Sequence, residues 1–215
     1  MNKNIYKVGF WAGIIAFAAT VAYIIIQALQ ILKVLHYPWD EIFIYSSSLC
    51  ITIPFLLQML ALHYTASPEK KYWSHAALIF TSFYVVFVTA NYVVQLATVI
   101  PMTLKGVTAE ISILMQTPHS LFWNFDALGY IFMGLATLFA VPVFQKVGFQ
   151  KWVRLVFLIH SLITPLIAFV YFYPHFSDKL LLIGLPWAIT APASMLVLAM
   201  MFKKLMKEKV SNTLS

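Results

Sequence analysis

The chain has 215 residues, 62% hydrophobic and only 10% charged, with a formal net charge of +7 and one cysteine. A soluble domain carries about 25% charged residues, so a water-facing globular surface is excluded, and a lone cysteine excludes an internal disulfide. Runs of about 20 apolar residues cross a bilayer as helices, and six such runs follow one another here with no soluble domain between them. The predicted fold is therefore all-α: a polytopic membrane protein, a bundle of six transmembrane helices over residues 1–202, with a basic tail over 203–215.

Span 1 covers residues 8–32. Lys3 and Lys7 give it a signal-peptide-like start, yet the run is longer than the roughly 7–15 residues of a signal core. An A-x-A match at residues 16–18 lies inside the run, so the segment reads as uncleaved. Ala12, Ala16 and Thr20 form a small-residue stripe suited to close helix approach, and Tyr23, Gln27 and Gln30 share a face in the second half. Tyr37 and Trp39 in the next loop suit the interfacial aromatic belt.

Span 2 covers residues 42–64, with Ser46, Ser47 and Ser48 near its start. Cys50 reads as a small core residue, and Pro54 predicts a kink. Span 3, residues 72–100, would be roughly 43 Å long at the helical rise, so it must tilt or protrude. It carries Asn91 and Gln95 one turn apart. The loop 101–119 holds an apolar stretch, 111–115, that predicts a short helix lying in the membrane surface.

Span 4, residues 120–144, opens with Ser120 as a candidate N-cap. It holds Asp126, the one acidic residue inside any long apolar segment. Span 5 covers residues 152–173 and carries His160, Ser161, Thr164 and Pro165. Span 6 covers residues 180–202. Gly184, Pro186 and Pro192 predict a broken helix there, with an opened turn that would set Trp187 and free carbonyls beside a ligand. The tail beyond it reads as polar and frayed.

Lysine and arginine fall unevenly between the two sides. One side holds Lys3, Lys7, Lys70, Lys71, Lys146, Lys151, Arg154, Lys203, Lys204, Lys207 and Lys209, and the other only Lys33, Lys105 and Lys179. Eleven against three predicts that both termini are cytoplasmic. Topology thus accounts for the net charge and leaves no argument for a nucleic-acid partner; the partner it implies is the lipid bilayer, with tail lysines near anionic head groups.

That orientation puts Gln27, Gln30, Asn91, Gln95, Asn124 and Asp126 in the outer half, with Tyr23 and Tyr130 somewhat deeper. Carboxyl and amide groups at one level in hydrocarbon must face each other or a wet cavity. The functional reading is a polar pocket open to the outside, with Asp126, Asn91, Gln95, Gln27, Tyr130, Asn124 and Trp187 as ligand-binding candidates. Asp126 and Tyr130 share a helix face at i, i+4. No lysine or arginine lies at this depth, so Asp126 needs amide or phenol donors, a loop lysine (Lys105 or Lys179), or a proton. The structural reading stays open beside it: an acid in the first turns of a helix suits the helix dipole, and amides can simply bond helix to helix.

Enzymatic motifs are absent from the sequence. There is no H-E-x-x-H, no G-x-S-x-G, no P-loop and no Cys/His cluster at metal spacing. The histidines form no pair at matching depth that could hold a haem, and His160 with Ser161 and Thr164 reads as a hydrogen-bonded core group. No cofactor or metal is predicted.

The stretch FDALGYIFMGLA at residues 125–136, with YVVQ at 92–95, resembles uncharacterised multi-span bacterial integral membrane proteins. The resemblance implies a bacterial plasma membrane and brings no activity with it. Three functions fit the residues: binding or transport of a small or lipid-like molecule, a non-catalytic interaction or sensory subunit joined to a homo-oligomer or membrane partner, and an enzyme acting on lipid head groups. The third needs an acid/base pair that the spans do not offer.

Overall fold

The computed structural model describes residues 3–214, with the side chains of Lys3, Asp178 and residues 209–214 excepted. Ser215 and the side chains of Lys3 and Lys209, counted above with the tail and the basic side, lie outside what is described. The described residues form helices and turns without a strand. Six helices among them are long and apolar enough to cross a membrane.

These are α1 (Lys3–Ile31), α2 (Trp39–Thr65), α3 (Lys71–Val94), continued by a π-helical turn and α4 (Ile100–Leu104), then α5 (Leu121–Ala140), α6 (Gln150–Phe172) and, after the short α7 (Asp178–Leu181), α8 (Leu185–Leu214). Each long helix packs chiefly against its neighbours in the chain, and α8 returns to α1. The bundle is thus a closed ring in sequence order: α1, α2, α3, α5, α6, α8.

Small residues set how closely the ring closes. A Cβ at Gly134 on α5 would overlap the side chain of Thr164 on α6, and one at Gly13 on α1 would overlap Gln58 on α2 and meet Ala199 on α8. Ala12, Ala16 and Thr20 of the α1 stripe are all buried. The Thr20 hydroxyl lies 2.8 Å from the Ala16 carbonyl and 3.2 Å from Met195 Sδ on α8. The stripe is therefore used inside the chain's own bundle.

Basic side chains close one end of the ring. Lys71 donates to the His63 carbonyl and Lys70 to that of Pro142. Arg154 donates to the Val141 carbonyl at 2.9 Å. They add donors to carbonyls in the last turn of α2 and in the 3-10 turn that follows α5, where helical bonding runs out.

Several boundaries differ from the sequence reading, for reasons of proline chemistry. Pro101 stands in the first turn of α4, where its missing N–H is harmless, and the helix reaches Leu104 through a π turn at Gln95–Val99. Pro186 likewise stands in the first turn of α8, and Pro192 lies inside an unbroken helix. The irregular part of span 6 is the 3-10 turn Leu182–Gly184, so no opened turn lies at Trp187. Residues 111–115 form only a 3-10 turn, Ser112–Leu114. The helix of span 6 continues to Leu214 instead of fraying after residue 202. Cys50 is exposed on the outer face of α2, because Ser48, Ile51 and Thr52 take the inner face. His160 is buried, and its Nδ1 pairs with Thr190 on α8 at 3.0 Å, not with Ser161 or Thr164. Ser120 does cap α5, accepting from the Trp123 N–H at 3.1 Å.

Candidate functional site

Asp126 projects from the buried face of α5 and is 4% exposed. Both carboxyl oxygens accept a tyrosine hydroxyl. Tyr92 on α3 donates to Oδ1 at 2.6 Å, and Tyr171 on α6 donates to Oδ2 at 2.5 Å. The two O–H donors give each carboxyl oxygen one hydrogen-bond partner. Among the described residues the one ion pair is Lys204–Glu208, toward the C-terminal end of α8. Asp126 therefore stands at the centre of the ring with hydroxyl donors and no cationic partner.

Aromatic rings build the walls around it. Tyr45 on α2 stacks on Tyr92 with centroids 5.3 Å apart and planes 25° apart. Trp123 lies 4.6 Å from Tyr171, and its indole Nε1 donates to the Tyr171 carbonyl at 3.2 Å. Trp187 on α8 sits edge-on to Tyr130 at 4.9 Å and to Tyr23 at 5.9 Å. Its Nε1 is buried and has no hydrogen-bond partner.

Beside these rings lies a half-open cavity of about 20 Å³, lined by Tyr23, Ser48, Ile51, Tyr84, Val88, Tyr92, Asp126, Tyr130 and Trp187. That exceeds the roughly 10–15 Å³ needed to admit one water-sized sphere. With Tyr171 bonded to Asp126, every long helix supplies a side chain to the site.

A polar chain leads away from the cavity. Tyr23 Oη lies 3.1 Å from Tyr130 Oη and donates to Gln27 Oε1 at 2.9 Å. Because the Tyr23 proton is used there, Tyr130 is the donor between the two phenols. Gln27 then donates to Gln30 at 3.0 Å, and Gln30 to Asp40 Oδ2 at 3.0 Å. Asp40, in the first turn of α2, is buried, and its Oδ1 has no partner. The chain thus runs from the cavity-lining Tyr130 to Asp40 through hydroxyls and amides alone.

The candidates named from sequence divide in three. Asp126, Tyr130 and Trp187 line the cavity, and Gln27 adjoins it through Tyr23. Asn91 and Gln95 are buried but bind the loop that follows α4: Asn91 Nδ2 donates to Gln116 Oε1 at 3.0 Å, Gln95 Nε2 donates to the Leu114 carbonyl at 2.8 Å, and Gln95 Oε1 accepts the Gln116 N–H at 3.2 Å. They fasten the loop across the π turn and are not among the cavity-lining residues. Asn124 is exposed, on the opposite side of α5 from Asp126.

Sequence reasoning missed Tyr84, Tyr92 and Tyr171. The available signal for Tyr84 and Tyr92 was their position. A tyrosine inside a span and away from the interfacial belt must find a partner for its hydroxyl; Tyr171, at the end of span 5, carries no such signal. Tyr84, Val88 and Tyr92 also repeat at i, i+4, i+8, one face of α3.

Comparison with protein-family models, with characterised proteins and with solved structures finds no match. The chemistry of the site rests on its geometry. Six helices long and apolar enough to cross a membrane fit an integral, multi-pass membrane protein.

Proposed function

We propose that this protein binds and moves a small molecule through the Asp126 cavity, from a position in a bacterial plasma membrane with both termini cytoplasmic. The observation that carries the reading is a buried carboxylate with no cationic partner, facing a space lined by five of the six long helices while Tyr171 of the sixth holds the carboxylate itself. A carboxylate buried without a cationic partner costs several kcal/mol, and a bundle held together for its own sake does better with a neutral hydrogen-bonding residue there. The small cavity favours a small solute over a lipid-like one. The alternative reading as an interaction subunit drew on Ala12, Ala16, Thr20, Gly129 and Gly134. Those residues pack inside the chain's own bundle, so the cavity is the stronger basis.

Orientation rests on the lysine and arginine count. A reporter enzyme active only in the cytoplasm, fused after Ser215, is expected to be active; activity only from a periplasmic reporter at the same position reverses the topology.

The cavity is tested by filling it. Ser48→Val puts extra methyl volume into the space while leaving Asp126 and its tyrosines in place. Solutes from a metabolite panel that raise the unfolding temperature of the wild type are expected to lose that effect in the variant. A panel whose stabilising solutes act equally on both proteins would refute the cavity as the binding site.

A further inference from the structure

The chemistry of the lining identifies the class of solute. Resting on the reading of the Asp126 cavity as a binding site, we infer that it takes a compact protonated amine, an ammonium or methylammonium-type cation. Three independent features point the same way.

The first is charge. Asp126 accepts two hydroxyls, from Tyr92 and Tyr171, and has no basic partner. An anionic solute would add a second negative charge in low dielectric. A neutral solute would leave the first one uncompensated. Among solutes, a cation is the one that neutralises the ionised carboxylate; with no solute bound, a proton on Asp126 does so instead.

The second is the wall. Trp187 stands nearly perpendicular to both Tyr23 and Tyr130 beside the cavity. Rings of this kind attract an ammonium through their faces. The phenol oxygens can also accept its N–H groups. An alkali cation needs a shell of oxygens in place of its water, and Ile51 and Val88 occupy part of the lining instead. A space of about 20 Å³ matches an ammonium head, which is close to water in size, and is too small for a tetramethylammonium ion.

The third is the approach. The chain from Tyr130 through Tyr23, Gln27 and Gln30 ends on Asp40, whose buried Oδ1 has no partner. This row of hydroxyl and amide groups is closed by a second carboxylate that keeps one buried acceptor unused, which suits a cation. It offers an anion no positive charge.

The test uses the full chain, purified in detergent, and radiolabelled methylammonium as the probe in equilibrium binding. Unlabelled ammonium chloride is expected to displace it, with potassium chloride, tetramethylammonium chloride, sodium formate and methanol at least about tenfold weaker. Asp126→Asn is expected to weaken binding at least about tenfold through loss of a charge-assisted contact. Trp187→Phe, a milder change that keeps a ring in place, is expected to weaken it about fivefold. Saturable binding of formate or methanol that Ser48→Val removes would overturn the amine assignment and leave the cavity as a binding site. Displacement by potassium as effective as by ammonium would overturn it in the same way. Methylammonium binding that survives both Asp126→Asn and Ser48→Val would also overturn it. Absence of saturable binding for every probe would overturn the amine assignment, and the Ser48→Val solute panel then decides the cavity separately.

Discussion

The Asp126→Asn protein is expected to unfold at a higher temperature than the wild type while losing its ligand. In the empty protein the carboxylate accepts from Tyr92 and Tyr171, but no cation balances it. Burying an ion costs several kcal/mol even after relaxation. Asparagine removes that cost, keeps a carbonyl oxygen for Tyr92, and asks Tyr171 only to turn its hydroxyl toward an amide. The net gain should be about 1–2 kcal/mol, within the range seen when buried ions are replaced by neutral groups. Asp126→Leu should go the other way. It removes the charge and also strips two buried hydroxyls of their acceptor, at about 1–3 kcal/mol each. Thermal unfolding in detergent, followed by tryptophan fluorescence, separates the cases. A purely structural Asp126 requires that asparagine be destabilised much as leucine is, and that result would remove the strongest support for a binding role.

Gly134→Ala is expected to be the most damaging small substitution in the bundle. The ideal Cβ at this position overlaps the Thr164 side chain and comes within 2.7 Å of its Cβ and 2.8 Å of its methyl carbon. The opposing atoms belong to a β-branched side chain that has few rotamers to retreat into. The α5–α6 joint must therefore part. Overpacking typically costs 1–3 kcal/mol, and a clash this direct belongs near the upper end, about 3 kcal/mol. Thr164→Ala removes the hydroxyl and methyl but leaves its Cβ, so it should recover only part of the loss in the double variant. The coupling is read as the difference between the double and the summed single effects. Additive effects within about 0.5 kcal/mol would show that the two helices do not meet at this point.

Much of the fold is legible in the sequence because the solvent is the bilayer. A span needs a long apolar run, and the chain has no cheaper way to satisfy its backbone in lipid. Ser120 as a cap and Asp126 as the singular acid follow from one position each. What escapes is decided by the third dimension. Asn124 and Asp126 are two residues apart, which is about 200° around a helix; they cannot share a pocket wall, and the spacing alone could have separated them. Asn91 and Gln95 lie on a buried face, yet their partners come from Leu114 and Gln116, in a loop with no periodicity to place it. Prolines 101 and 186 look like breaks in a linear reading. Each instead opens a helical segment, where a missing N–H has no consequence. The cavity itself depends on which tyrosines converge, and aromatic content spread over all six spans hides that.

The ring also carries an order of assembly. Helices leave the ribosome in the sequence in which they stand around the bundle, so five of its six joints form between consecutive long helices. The sixth, α8 on α1, waits for the last of them. Trp187 and Met195 arrive on that helix. Until then Gln58, whose Nε2 donates to the Met195 carbonyl at 2.8 Å, has no acceptor there, and the cavity lacks one wall. During synthesis Asp126 therefore stands open to its surroundings, and its isolation dates from the moment the final helix is in place.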